Sequence, residues 1–340
     1  MTQQTPYGAA DGLVRVYPAD AAALRPAPGL VWAHGGGFVA GDLDMPEADW
    51  VARALAARGI TVVSIDYRLV GDGSGRYPAG SDDVLAAWTW TLDHADELGL
   101  DRSRIALGGA SAGANLVAGA VLRLLHARGS GDPRSSSDPP SSSDRRSSSD
   151  PPSSRSDAAG DPSRDPAPRL RTAAPLPTRP AADAPLPSGV LLAYPTLHAV
   201  QPAPDAALRA LLDANPEADR FFPAAVRTMY EAYLGGPVDD APLPAVPGRA
   251  AASDLAGFPP VLMINDEADE LRVSGEAFAA TLVEAGVPVD VVVEPGTEHG
   301  HLNRPDEPAA SASIERVARW IAWLATHHRT TLRITEGITP

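Results

Sequence analysis

An α/β fold with a mostly parallel central sheet is predicted by three observations on this chain. Short runs rich in Val, Ile and Leu alternate with amphipathic helical stretches along most of its length. Strands buried under helices on both faces read this way. In addition, Gly109-Ala110-Ser111-Ala112-Gly113 joins one apolar run directly to a helical stretch, which makes a strand–turn–helix junction.

The elements follow in order. Strands are expected over residues 13–17, 30–33, 61–66, 105–107, 190–194, 261–264 and 289–293. Helices are expected over 48–58, 81–97, 115–126, 274–285 and 309–325. The helix after Ser111 carries Leu116, Val117, Ala120, Val121, Leu124 and Leu125 on one side.

The junction at Ser111 has a mechanical meaning. A serine on a tight turn between strand and helix is held in a strained conformation, and small flanking residues let neighbouring elements close in around it. The helix that follows points a partial positive charge at any negative charge developing there. A serine hydroxyl is a poor nucleophile at neutral pH, so it needs a base and donors for an oxyanion. His34-Gly35-Gly36-Gly37-Phe38 follows the apolar run Leu30-Val31-Trp32-Ala33. Glycines after a buried strand let backbone N–H groups turn inward, and they act with the N–H after the nucleophile, here Ala112.

Among eight histidines, His299 is the best base, because it lies just past the β-prone run Val289-Asp290-Val291-Val292-Val293. His301 is its rival. His94 and His126 fall in helical patterns and read as surface or packing residues, and His327 and His328 close the last helix. The acid is expected between serine and histidine in chain order. Asp266, Glu267, Asp269 and Glu270 crowd behind the buried strand Val261-Leu262-Met263-Ile264. One partners the histidine, and the others are expected to be solvated or to cap the next helix. Spacing alone does not choose among them.

These motifs resemble the hormone-sensitive-lipase-like branch of the α/β-hydrolases, the HGGG/GxSxG carboxylesterases. In order they are His34 to Phe38, Asp66-Tyr67-Arg68-Leu69, Tyr77-Pro78-Ala79 with Asp83-Val84, Gly109 to Gly113 with Asn115-Leu116, Asp269-Glu270-Leu271-Arg272, and Glu298-His299-Gly300. They cover about residues 13–128 and 189–326. The resemblance implies an α/β-hydrolase fold with the triad Ser111, Asp269 and His299, and oxyanion donors on Gly36, Gly37 and Ala112. It implies a serine hydrolase that cleaves small to medium acyl esters through an acyl-enzyme, with no cofactor and no metal. Departures occur at Ala110, where the family usually has Asp, at Val70-Gly71-Asp72, where it has Ala-Pro-Glu, and at Val273, where a second acid is usual. They bear on substrate preference and local bonding rather than on a catalytic group. A second reading keeps the triad and cleaves an amide such as an aryl-formamide. A third, a non-catalytic small-ligand receptor, needs a broken triad, and none of the three groups is missing.

Residues 129–188 break the α/β pattern. The motif Ser-Ser-Ser-Asp recurs there every six residues, and 13 of the chain's 35 prolines fall in this window. Such a stretch buries too little apolar surface to offset its ordering entropy, so disorder is expected. It joins a helix end to a strand start, which places it at the sheet edge away from the active one. Residues 196–258 leave the sheet at the active edge instead. Phe221, Phe222, Val226, Met229, Tyr230, Tyr233 and Leu234 fall there at helical spacing. The resemblance makes this segment part of a cap. Family members usually carry two more cap helices before the first strand, and about a dozen residues precede Leu13, so a reduced cap and an open site are expected. Residues 1–128 and 189–326 are read as the hydrolase domain and 327–340 as a tail.

Composition excludes several partners. Of 340 residues, 44% are hydrophobic, which suffices for a large core. The formal charge of −15 argues against nucleic acid and anionic membrane surfaces. The eight Asp and eight Arg of 129–188 cancel, so that charge belongs to the folded part. With no cysteine there are no disulfides or thiolate metal sites. Residues 1–20 lack a signal-peptide pattern, and no run approaches the roughly 20 apolar residues of a membrane span. A cytoplasmic enzyme acting on a small-molecule ester is the expectation.

Overall fold

Alternating side chains along each strand decide which face of the sheet they join, and two cores result. The computed structural model of the chain describes residues 4–71, 73–129 and 184–335. Among these, the strands are β1 (Tyr7–Ala9), β2 (Val14–Tyr17), β3 (Ala27–Ala33), β4 (Thr61–Ile65), β5 (Leu100–Ala110), β6 (Val190–Ala193), β7 (Val261–Ala268) and β8 (Val289–Glu298). They form one sheet in the order β1-β2-β4-β3-β5-β6-β7-β8. β2 runs antiparallel to β1 and β4, and every other pairing is parallel.

Helices α1 (Pro46–Ala56) and α7 (Pro308–Thr335) cover one face. There Leu30, Trp32, Val62, Leu191 and Leu262 meet Val51, Leu55, Ile314 and Ile321. Helices α2 (Ala79–Asp93), α3 (Ala112–Gly129) and α6 (Arg272–Glu284) cover the other. There Val31, Val63, Leu107, Leu192 and Met263 meet Val84, Trp88, Leu116, Val117, Phe278 and Leu282. Each fully buried Leu, Val or Phe contributes about 1.5–3 kcal/mol relative to exposure.

Strand β5 is longer than the apolar run 105–107 suggests, because Gly108 and Gly109 belong to it. A Cβ on Gly108 would lie 2.9 Å from that of Leu191 on β6, so the strand pairs there only without a side chain. Helix α4 (Ala206–Ala214) was not expected from the sequence; the Asp205 carboxylate caps it by accepting the Leu208 N–H at 2.8 Å. Helix α5 (Pro223–Leu234) begins on a proline and ends on Gly235 in the left-handed region.

Two boundaries differ from the sequence reading. Helix α7 continues to Thr335, so the stretch read as a tail from residue 327 is helical for most of its length. The segment expected to be disordered lies mostly outside the described residues, but its last part does not. Ala184 and Leu186 pack on the core, the Trp88 indole donates to the Pro185 carbonyl at 3.0 Å, and Arg128 donates to the Ala184 carbonyl at 3.1 Å. The chain is therefore engaged from residue 184, five positions before 189.

Candidate active site

Four parallel strands deliver the sequence-predicted residues to one edge. His34 follows β3, Ser111 follows β5, Asp269 follows β7 and His299 follows β8. The C-terminal edge of a parallel α/β sheet is where ligands bind. The Ser111 backbone has φ 50°, in the left-handed region, and its N–H donates to the Ala193 carbonyl at 2.9 Å. The glycines of the motif make this turn possible. A Cβ on Gly113 would stand 2.3 Å from the carbonyl oxygens of Ala33 and His34, and one on Gly109 would stand 2.5 Å from the Gly113 backbone. Strand, turn and helix thus cross with no room for a side chain.

The structure brings Ser111, His299 and Asp269 together. Ser111 Oγ lies 3.0 Å from His299 Nε2, and His299 Nδ1 lies 2.7 Å from Asp269 Oδ2. Asp269 is fully buried, and its other oxygen accepts the Leu271 N–H at 2.9 Å. Phe221 packs against the His299 ring at 4.4 Å between centroids, and Tyr194 meets it edge-on at 5.1 Å. Burial pulls the His299 imidazole down, but the Asp269 carboxylate outweighs it, aided by Asp266 and Glu47. The net direction is up from the ordinary histidine value.

Gly36 and Gly37 turn at φ 121° and 61°, conformations that favour glycine. Ala112 is the first residue of α3, so its N–H has no partner one turn back. Helix α5 lies over this loop. Tyr233 stacks on Phe38 at 4.1 Å, and Met229 Sδ is 3.4 Å from where a Gly37 Cβ would be. The Tyr230 hydroxyl accepts from the Asn115 amide at 2.7 Å and donates to the Thr196 carbonyl at 3.0 Å, which ties α5 to the helix behind Ser111. Helix α4 sits over the acid and base loops. Leu208, Leu212 and Ala218 pack on Val273, and Asn215 donates to the Glu298 carboxylate.

Sequence reasoning missed several residues here. Glu47 is buried, and its carboxylate accepts from the Gly35 N–H, the Tyr194 hydroxyl and, at 3.1 Å, the Asn303 amide. An acid after a helix-opening proline is the usual complement to a helix dipole, so nothing in the sequence marks it out. The expectation that most of the acids behind the run Val261-Leu262-Met263-Ile264 are solvated or cap the next helix is corrected; β7 itself runs on through Asp266 and Glu267. Asp266, Asp269 and Glu270 are all buried, because β8 and α4 close over the end of β7. His301, the rival base, is buried beside Asp266 with its Nδ1 2.5 Å from Asp266 Oδ1, and the serine bond goes to His299. His94 is a helix-end residue, with its Nδ1 2.9 Å from the Trp90 carbonyl oxygen.

Asp266, Asp269 and His299 bring possible ligand atoms within 4.8 Å of one another. The Asp269 and His299 atoms are bonded to each other, so the dyad accounts for the spacing. A cavity of about 440 Å³ between Pro260, Val289, Arg316, Trp320 and Trp323 lies at the opposite ends of β7 and β8. No helix among the described residues is long and apolar enough to cross a membrane.

Comparison with known proteins identifies the family of the fold. The sequence model of a family with the α/β hydrolase fold matches residues 30–136 and 170–303. The chain is an α/β hydrolase. It is 33% identical over 284 residues to carboxylesterase NlhH of Mycobacterium tuberculosis, covering 81% of this chain and 67% of that protein. It is 30% identical over 293 residues to esterase LipI of the same organism, covering 85% of this chain and 71% of that protein. Among solved structures, a bacterial heroin esterase superposes with a TM-score of 0.63 at 26% identity, covering 95% of this hydrolase and 84% of that chain. Brefeldin A esterase, described as a bacterial homologue of human hormone-sensitive lipase, superposes with 0.64 at 26% identity, covering 96% and 77%.

Proposed function

We infer that this α/β hydrolase is a carboxylesterase that works through an acyl-enzyme on Ser111. The observation that carries the reading is the hydrogen-bonded chain from Ser111 through His299 to Asp269, set beside a glycine loop at the C-terminal sheet edge. The esterases among its relatives support ester over amide cleavage.

Each group has one task. Ser111 Oγ attacks the acyl carbon as its proton passes to His299 Nε2. Asp269 holds the imidazole with Nδ1–H facing it and stabilises the imidazolium. The N–H groups of Gly36, Gly37 and Ala112 take the oxyanion, which is worth roughly 3–4 kcal/mol per donor in comparable sites. His299 then protonates the departing alkoxide, and water repeats the sequence on the acyl-enzyme. Phe221 on the His299 ring and Met229 near Gly37 narrow the site from the cap side, which suits small to medium acyl groups.

Two measurements test the reading. A p-nitrophenyl ester should give a burst of p-nitrophenol at the concentration of enzyme. A fluorophosphonate should add its mass to the peptide carrying Ser111. Labelling on another residue would overturn the assignment of the nucleophile, and hydrolysis without any burst or label would overturn the acyl-enzyme.

A further inference from the structure

Helix α7 carries two stripes. Ile314, Val317, Ile321 and Leu324 are buried against the sheet. Arg316, Arg319, Trp320 and Trp323 recur at i, i+3, i+4 and i+7, so they share the neighbouring face. That face overhangs the start of β8, the last strand of the sheet, and encloses with it the cavity of about 440 Å³. Asp269 and His299 follow the other ends of β7 and β8, so this cavity is no part of the triad site.

The walls of the cavity divide by chemistry. Val261 and Val289 open the two strands, and Pro260 and Pro288 precede them. A proline has no N–H to offer. The Pro260 carbonyl already accepts from Val190, and the Pro288 carbonyl from Val261, both at 2.8 Å. The prolines therefore add only apolar surface. Trp320 is 8% exposed and Trp323 42%, and both present indole to the same space. Such rings take a flat apolar partner against face or edge.

The polar capacity comes from side chains and is largely unspent. A guanidinium offers five N–H donors in one plane. Arg316 Nη2 lies 3.5 Å from Glu294 Oε2, at the long limit of a hydrogen bond, and Arg316 Nε is buried with no partner. Arg319, three residues on, makes no ion pair among the described residues. Asp290 on β8 is the one carboxylate lining the cavity. It disfavours a second negative charge and directs an anionic group to the α7 wall.

We propose that this cavity is a second ligand site, separate from the triad, for a flat aromatic monocarboxylate. The rings lie between the two indoles and the valine–proline floor, and the carboxylate takes the N–H groups of Arg316 and Arg319. Guanidinium meets carboxylate in a planar, charge-assisted geometry that suits such a pair. The cavity falls within the 300–1,000 Å³ or so of small-molecule sites. The formal charge of −15 repels anions at long range, so affinity depends on these two cations at contact.

The test titrates 2-naphthoate into the full chain by calorimetry, after a fluorophosphonate has blocked Ser111 so that no acid binds at the triad. One site per chain is expected. Arg319→Gln and Trp323→Ala should each weaken it about tenfold, the first by removing a charge-assisted hydrogen bond. 2-Naphthamide has the same rings without the charge, and it should bind wild type about tenfold more weakly and not distinguish wild type from Arg319→Gln. Both variants should keep wild-type kcat/KM on a p-nitrophenyl ester. No binding of 2-naphthoate, binding that survives both substitutions, or equal binding of acid and amide would each overturn the proposal. So would light scattering that shows a dimer dissociated by Trp323→Ala, since a second copy of the chain would then fill the cavity. Absence of labelling at Ser111 would instead overturn the triad reading, and the difference between wild type and Arg319→Gln would still decide the cavity.

Discussion

The Glu47 carboxylate accepts the backbone N–H of Gly35 from beneath the glycine loop, and the Tyr194 hydroxyl and Asn303 amide donate to its other oxygen. A helix on one face of the sheet thereby braces the loop that positions Gly36 and Gly37. The brace joins three elements distant in sequence, and it is buried, so each donor depends on it.

Glu47→Ala should therefore lower kcat by roughly ten- to a hundredfold with KM little changed, since a loop displaced by about 1 Å costs that much in positioning. Each orphaned buried donor should also cost about 1–3 kcal/mol of stability. Glu47→Gln keeps an acceptor and should be milder on both counts. Steady-state kinetics with a thermal melt separates the two effects. A lower Tm with unchanged kcat would mean that Glu47 supports the fold and not the loop.

Under the proposed mechanism, Ser111→Ala, His299→Ala and Asp269→Asn should each reduce kcat by about 10⁴-fold, because serine, base and orienting carboxylate then act as one unit. Glu270→Gln and His94→Ala should leave the rate near wild type. Rates on one ester, with labelling as a count of active sites, decide this. A Ser111→Ala enzyme with a tenth of wild-type activity would end the serine mechanism.

The acid limb of the wild-type profile follows from the His299 environment. The base must be neutral to accept the serine proton, so activity is lost as pH falls through its value. That value is raised, with Asp269 outweighing burial. The limb should lie above the ordinary histidine value of about 6.5. Asp269→Asn should move the residual activity's limb downward, because the largest upward influence is gone. A wild-type limb near pH 5 would contradict the placement of Asp269.

Much of this molecule was legible because its strands are apolar runs and the groups proposed as catalytic sit in short local motifs. Gly109 and Gly113 announce themselves, since the crossing at Ser111 excludes a Cβ at either position. What stayed hidden depends on tertiary closure. Glu47, Asp266 and Glu270 look like surface acids in sequence and are buried only because other elements pack over them. His301 could not be separated from His299 by spacing, as two residues at a strand end can point either way. Strand β1 is three residues long, too short for periodicity to reveal it, whereas α4 carries Leu208, Leu211 and Leu212 at helical spacing behind its Asp205 cap, a signal that the sequence does contain.

The engagement of residues 184–186 sets a limit on shortening the chain. Arg128 and Ala184 are hydrogen-bonded, so the two ends of the intervening segment lie side by side. A short Gly/Ser loop in place of residues 131–183 should leave kcat/KM within about threefold and Tm nearly unchanged, because closure entropy varies slowly with length. Extending the replacement through residue 186 removes Leu186 from the core and the carbonyl that meets Trp88. That larger replacement should cost about 1–3 kcal/mol. Equal melting temperatures for the two would show that residues 184–186 contribute nothing.

Glu270 links the cap to pH. Burial raises its carboxyl, the adjacent Asp219 carboxylate raises it further, and Arg209 pulls the other way; the result is about 7. Asp219 is held ionised by Arg209, whose Nη2 is 2.5 Å from it, so Glu270 carries the proton and donates to Asp219. The sign follows from linkage. A carboxyl raised in the folded state contributes stability that is complete below its unfolded value and is lost as pH rises through the folded one. The contact between the α4 segment and the acid loop should thus weaken between about pH 4.5 and 7. Glu270→Gln keeps a donor toward Asp219 at every pH. Its Tm should match wild type near pH 5 and exceed it near pH 8, and hydrogen exchange in α4 should slow in the same window. Parallel Tm curves for the two proteins across that range would show that Glu270 does not titrate there.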